Sequence, residues 1–379
     1  MIVHQFLQWV ETAPAGRRAE AAFALGRAFL ASDGDQEVRS AMEAAITVLL
    51  DDTSPDVRFA LADALSASPH APRHVIVTLA ADQSHIAAVV LARSPLFIDA
   101  ELVEIVSAAS ESLHIAIASR PRVSSAVAAA IAEIGEYEAC LALVANPGAD
   151  IARISCMRVG ERFGDDAEMR EALFARHDLS PEVHQMLIRQ VGDLLGNMVV
   201  MRSWVSEARA RAVTREACDR ATVTIAAETE TEELPALVEH LRITGQLTTA
   251  LILRAVCAGN VDFFEAALAA LAGVPRQRVS SLVRAGRTSA LRAVYARADL
   301  PPLAFDAFAA ALDTWRHVAE DGAPQDRYRF TRQLVDAVVA RYADMTEGEA
   351  NELAAMLRRF AADQAREAAR DFAREASAA

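Results

Sequence analysis

The chain has 379 residues, 53 % of them apolar but only 6 % aromatic, and a net charge of −14. That length exceeds one ordinary compact core, and the apolar fraction excludes disorder as the general state. The negative charge argues against wrapping along a nucleic-acid backbone, which depends on neutralising phosphates.

All 38 basic residues are arginine, and lysine is absent. A codon-composition bias accounts for this more simply than function does. The acidity is uneven: residues 1–190 carry 15 Arg against 26 acids, and residues 191–379 carry 23 Arg against 26. Alanine and leucine dominate the apolar content, which favours closely packed helices because alanine has the best intrinsic helix propensity. An all-α fold is expected.

In chain order, Met1-Ile2-Val3-His4-Gln5-Phe6 lacks the basic region and long apolar run of a signal peptide. No stretch of eighteen apolar residues exists, so no membrane span is expected and a cytoplasmic location follows. Ser54-Pro55-Asp56-Val57-Arg58 is a strong helix start. Then comes a repeated punctuation, an apolar residue followed four positions on by proline: Leu65/Pro69, Leu91/Pro95, Ile117/Pro121 and Leu143/Pro147, in steps of 26 residues. Each proline ends the preceding helix, because the residue before it is pushed out of the α region. New helices are expected to start at the caps Asp99, Ser124 and Asp150, and at Pro72 as a first helical residue. Short paired helices of fixed period cannot bury their apolar faces alone, so a curved α-solenoid is expected.

Ser180-Pro181 opens longer helices over residues 181–227, and the acidic stretch Glu228–Glu233 reads as a solvated linker. This places a HEAT-like helical repeat region at 1–230 and a C-terminal helical domain at 231–379. In the latter, Gly245, Gly259, Gly273 and Gly286 recur 13 or 14 residues apart, each just past a short apolar run, as left-handed helix caps do. Past residue 303 the helices lengthen, and Thr346-x-x-Glu349 is a capping box opening the last. There Leu353, Leu357, Phe360 and Phe372 make a sparse apolar face beside charged rows. That face reads as a solvated helix, with self-association as the alternative.

Asp51-x-x-Ser-x-x-Val57-Arg58 followed by Ser-Pro69-x-x-Pro72 resembles the HEAT and leucine-rich-variant helical repeats over Asp51–Pro147. The chain over residues 45–315 also resembles a bacterial family of unknown function. That likeness is carried by Ser68–Ile76, Gly245-Gln-Leu-Thr-Thr-Ala-Leu-Ile-Leu-Arg-Ala-Val-Cys-Ala-Gly259 and the run from Phe263 to Pro275. The resemblance implies a curved helical array and no particular activity. The step of 26 is shorter than a HEAT unit and slightly longer than a leucine-rich-variant unit. An iron–sulphur cluster would need clustered cysteines, whereas Cys140, Cys156, Cys218 and Cys257 are dispersed.

No nucleotide, hydrolase or metalloprotease motif is present, so no catalytic residue, cofactor or metal is expected. His70 and His74 flank Pro72 and read as loop histidines; His177 and His184 bracket a helix start. Phe263, Phe264 and Leu268 read as core. The best candidate surface is Arg276, Arg278, Arg284, Arg287, Arg292 and Arg297, six arginines with no acid between them. Concentrated arginine suits carboxylate or phosphate groups, unless these side chains neutralise neighbouring repeats. The leading expectation is a non-enzymatic scaffold or adaptor with a protein partner. The alternative is a helical-repeat protein that binds or modifies a phosphate ligand, nucleotide or nucleic acid, through the same arginines.

Overall fold

The computed structural model describes residues 8–10, 12–32, 36–202 and 205–321, with Ala362 and Arg366 beyond them. The capping box at Thr346–Glu349, the terminal helix with its Leu353–Phe372 face, and Met1–Phe6 lie outside the described residues. Those described are all-helical, with a single-turn 3-10 helix at Pro302–Ala304 and one isolated parallel bridge between Val123 and Ala149. Two compact units, Met1–Leu179 and Ser180–Ala379, divide the chain; the acidic stretch at 228–233 lies inside the second.

The first unit holds α1 (Ala15–Ala31), α2 (Gln36–Leu49), α3 (Pro55–Leu65), α4 (Arg73–Ala80), α5 (Ser84–Arg93), α6 (Asp99–Ala108), α7 (Glu111–Ala118), α8 (Ser125–Ile134), α9 (Tyr137–Ala145), α10 (Arg153–Phe163) and α11 (Ala167–Phe174). Each odd helix packs on the next odd one, from α1 through α11, and α6, α8 and α10 form a second row. The 26-residue punctuation marks the ends of α3, α5, α7 and α9, and its apolar members Leu65, Leu91, Ile117 and Leu143 are fully buried. Proline stops these helices after three turns or fewer, so each has a large share of unpaired terminal carbonyls.

At α5, α7 and α9, side chains from later in the chain satisfy such carbonyls. Arg120 donates to Leu91 O and, at 2.6 Å, to Ser94 O at the end of α5. Asn146 donates at 2.7 Å to both Ala118 O and Arg120 O at the end of α7. Arg176 reaches Val144 O and Ala149 O, both at 3.1 Å, at the end of α9. The second row repeats the device. His114 Nε2 lies 2.8 Å from Val106 O in α6, Arg162 donates to Ala132 O and Gly135 O around the end of α8, and Arg170 donates to Gly164 O after α10. At the N-terminal side, Arg18 forks onto Asp52 and Arg58 onto Asp82, and each guanidinium holds its carboxyl below the usual range.

The helix starts differ in part from expectation. Ser124 does cap α8, accepting from Val127 N–H. Asp99, however, is the first residue of α6, where Glu101 accepts from the Ile98 N–H instead. Asp150 caps nothing: its N–H donates to Val123 O at 2.9 Å, and α10 starts three residues later. Pro72 is the cap of α4 and Arg73 its first residue.

The second unit begins with a pair of long helices, α12 (Pro181–Met201) and α13 (Glu207–Glu228), followed by α14 (Leu234–Ile243), α15 (Thr249–Cys257), α16 (Val261–Ala272), α17 (Arg276–Arg284), α18 (Thr288–Arg297) and α19 (Phe305–Asp321). Gly245, Gly259, Gly273 and Gly286 all have positive φ, between 62° and 84°, as their capping role requires. Every residue of α15 from Leu251 to Cys257 is buried, and so is Phe263–Ala269 in α16, including Phe263, Phe264 and Leu268. These two helices are the centre of one apolar cluster that runs from Val223 to Leu312. The long pair is close-packed through Gly192 and Gly196: a Cβ at Gly192 would stand 2.6 Å from Cys218 Sγ, and one at Gly196 2.9 Å from Thr214 Oγ1.

Two predictions follow from this packing. Asn146→Asp removes two donors and sets a carboxylate against two carbonyls, so it destabilises the first unit more than Asn146→Ala, which itself costs about 1–3 kcal/mol. Urea denaturation of both variants gives the order, and equal midpoints would refute the carbonyl cap. In the second unit, Gly192→Ala overpacks and costs about 1–3 kcal/mol. Gly16→Ala, with nothing within 4 Å of its new methyl, stays within about 1 kcal/mol of the parent.

Candidate functional site

α16 and α17 are joined by Gly273, whose left-handed backbone lets the chain reverse within three residues. The reversal sets Asp262 and Glu265, one turn apart on α16, against Arg276, Gln277, Ser280, Ser281 and Arg284 on one face of α17. With Thr231 from the α13–α14 turn, these residues line a cleft of about 500 Å³. Val279 and Val283, on the adjoining face of α17, are buried and fix its rotation.

The charges in the cleft are unequal. Arg276 donates to Asp262 Oδ1 at 2.7 Å and to Thr231 O at 2.9 Å, which ties the start of α17 to α16 and to the acidic turn. Arg284 is exposed and has no carboxylate within ion-pair distance among the described residues. Glu265 is only 3 % exposed. Burial pushes its carboxyl above the ordinary value, and nearby Asp262 adds to this. The Ser280 hydroxyl and the charges of Arg276 and Arg284 act the other way.

Of the six arginines singled out in the sequence, the structure brings Arg276 and Arg284 into this one cleft. Arg292 is engaged elsewhere, 3.0 Å from Asp306 Oδ1 and stacked 4.2 Å over the Phe305 ring. Arg278 lies off the cleft face of α17, Arg287 caps α18, and the Arg297 guanidinium lies beside Gly273. Arg278, Arg287 and Arg297 are exposed and, among the described residues, have no carboxylate at ion-pair distance. Neighbouring helices therefore neutralise two of the six. Glu265 escaped sequence reasoning because it sits in the apolar run around Phe263 and Phe264. Its signal is an acid flanked on both sides by residues suited to a core, Phe263 and Phe264 before it and Ala266 and Ala267 after it.

Several other side chains singled out in the sequence have structural surroundings. Burial pushes the Cys140 and Cys156 thiols up to about 11 and Cys257 to about 12, so they stay protonated and inert. His74 Nε2 lies 2.9 Å from Thr47 Oγ1, and His70 O accepts from Arg39. Burial lowers His184. Among the described residues, no group of three or more His, Cys, Asp or Glu side chains is placed to hold a metal ion, and no helix is long and apolar enough to cross a membrane.

A family model described as an uncharacterised protein conserved in bacteria (DUF2336) matches residues 86–348, more than half of the chain. No curated protein matches the chain, and neither does any solved structure.

The Glu265 environment predicts a pH dependence. Its carboxyl titrates higher in the folded chain than the ordinary 4.5, so the folded state binds this proton more tightly. Stability from this group is absent above the raised value and gained as pH falls from there towards 4.5. Glu265→Gln should therefore stabilise the second unit near neutral pH and flatten its stability profile above the ordinary carboxyl range. An unchanged slope in urea denaturation across that window would contradict the assignment.

Proposed function

The chain belongs to this bacterial family, and from that premise we propose that it is a non-enzymatic adaptor: a HEAT-like, solenoid-like helical array in the cytoplasm that docks an acidic segment of a protein partner on α17 and α18. One observation carries the reading. Arginines of the first unit such as Arg18, Arg58, Arg120, Arg162 and Arg176 are held by carboxylates or carbonyls. Arg278, Arg284, Arg287 and Arg297 are exposed without such partners among the described residues. Unpaired guanidinium groups on rigid helices retain their full donor capacity for carboxylates on another molecule. Rows of short helices also offer extended surfaces to a partner chain. The buried, protonated thiols suit a reducing compartment.

Arg276 and Arg284 beside the Ser280 and Ser281 hydroxyls favour a second reading, in which the ligand is a phosphate-bearing small molecule or nucleic acid.

Fluorescence anisotropy of the full chain with a labelled Glu-rich peptide tests the docking surface. Saturable binding that weakens steeply with salt, and falls about tenfold or more in the Arg284→Ala, Arg287→Ala double variant, is expected. Identical affinity in that variant, or tighter binding of an Arg-rich peptide, removes the docking surface. Displacement by a nucleotide but not by glutamate peptides turns the assignment to the second reading.

A further inference from the structure

The cleft between α16 and α17 contains more than diffuse attraction of an acidic partner needs. A patch that works by charge alone has no use for a buried carboxylate, which costs stability through lost hydration and opposes the incoming anion. Yet Glu265 is almost wholly buried in the cleft wall beside Ser280, while Arg284 on the facing helix has no carboxylate at ion-pair distance among the described residues. Arg276 is already committed to Asp262 and Thr231 O, so it frames the cleft. What remains is a charged donor, Arg284, facing an acceptor, Glu265, with the Gln277 amide on the same wall.

The complement of that pair is a group with an anion and an N–H donor a few bonds apart. An acidic residue in an extended peptide has both, in its side chain and in its own backbone amide. We propose that the cleft is the anchoring subsite for one acidic residue of the docked segment, its side-chain anion on Arg284 and its backbone N–H accepted by Glu265. This inference rests on the docking reading of α17 and α18. The anion is the carboxylate of Asp or Glu or the phosphoryl group of a phosphoserine, which share the same oxygen chemistry towards a guanidinium.

Three labelled peptides of one background, with Glu, phosphoserine or Gln at a single anchor position, are titrated into the full chain. A fourth carries an N-methyl group on the backbone amide of the anchoring Glu. Glu or phosphoserine should bind about tenfold or more tightly than Gln, and the tighter of the two identifies the anion. Arg284→Ala should abolish that preference, while Arg297→Ala keeps it. N-methylation should weaken binding to the parent chain and to Glu265→Gln, which keeps an acceptor oxygen, but have no effect on Glu265→Ala. Circular dichroism confirms that each variant is folded, and Glu265→Gln keeps the test decisive if Glu265→Ala is not. An ineffective N-methyl group, or equal losses in Arg284→Ala and Arg297→Ala, overturns the anchoring subsite while the docking surface stands. Absence of binding by every acidic peptide overturns the surface itself.

Discussion

From α3 onward the first unit depends on one constraint: helices of eight to eleven residues leave much of their backbone hydrogen bonding unfinished. Four carbonyls at the end of each helix have no partner within it, and in α7 that is half of the element. Buried carbonyls without partners are costly. Here the donors come from 26 to 32 residues further along the chain, as Arg120, Asn146 and Arg176 complete the ends of α5, α7 and α9. A helix in this row is thus finished only when its successor is in place. Neighbouring segments stabilise each other through directed hydrogen bonds as well as apolar burial.

Arginine suits that task better than any other side chain. Its fork reaches two carbonyls at once, and it remains charged when buried, as at Arg120, where burial lowers a very high proton affinity. Whatever set the composition of this chain, the structure employs its arginines as staples. The second unit is held differently. Its central helices α15 and α16 are buried on nearly all sides. One arginine, Arg254, is drawn inside, where it donates to Glu216 O at 3.1 Å.

Much of the fold was legible because proline and glycine act locally. Pro69, Pro95, Pro121 and Pro147 terminate helices through their own rings and their effect on the preceding residue. The four glycines occupy a backbone region closed to most side chains. Those signals need no knowledge of the rest of the chain. The starts at Asp99 and Asp150 were less legible, since an acid can cap a helix, sit in its first turn or bond elsewhere, and only tertiary packing chooses. The carbonyl caps had no local signature at all, because donor and acceptor are a whole repeat apart. At the candidate site, composition revealed the arginines. It could not show that Asp262 and Asp306 engage two of them, or that Glu265 faces a third. The first and last of these exist only once α16 and α17 have reversed about Gly273, and the Asp306 pair only once α19 has returned to α18.

The carbonyl caps also bear on how such a chain grows. Over α5 to α9 the donor and its acceptors recur with the same 26-residue spacing as the proline marks. Duplication or deletion of one such block of gene leaves each surviving donor opposite a carbonyl. A block of another length needs an adjusted donor, as the end of α9 shows, where Arg176 reaches Val144 O from 32 residues on. The ladder therefore works as a ruler over α5 to α9, keeping donor and carbonyl in step when whole blocks are gained or lost, so lineages carrying it are expected to differ in the number of blocks more often than in their size.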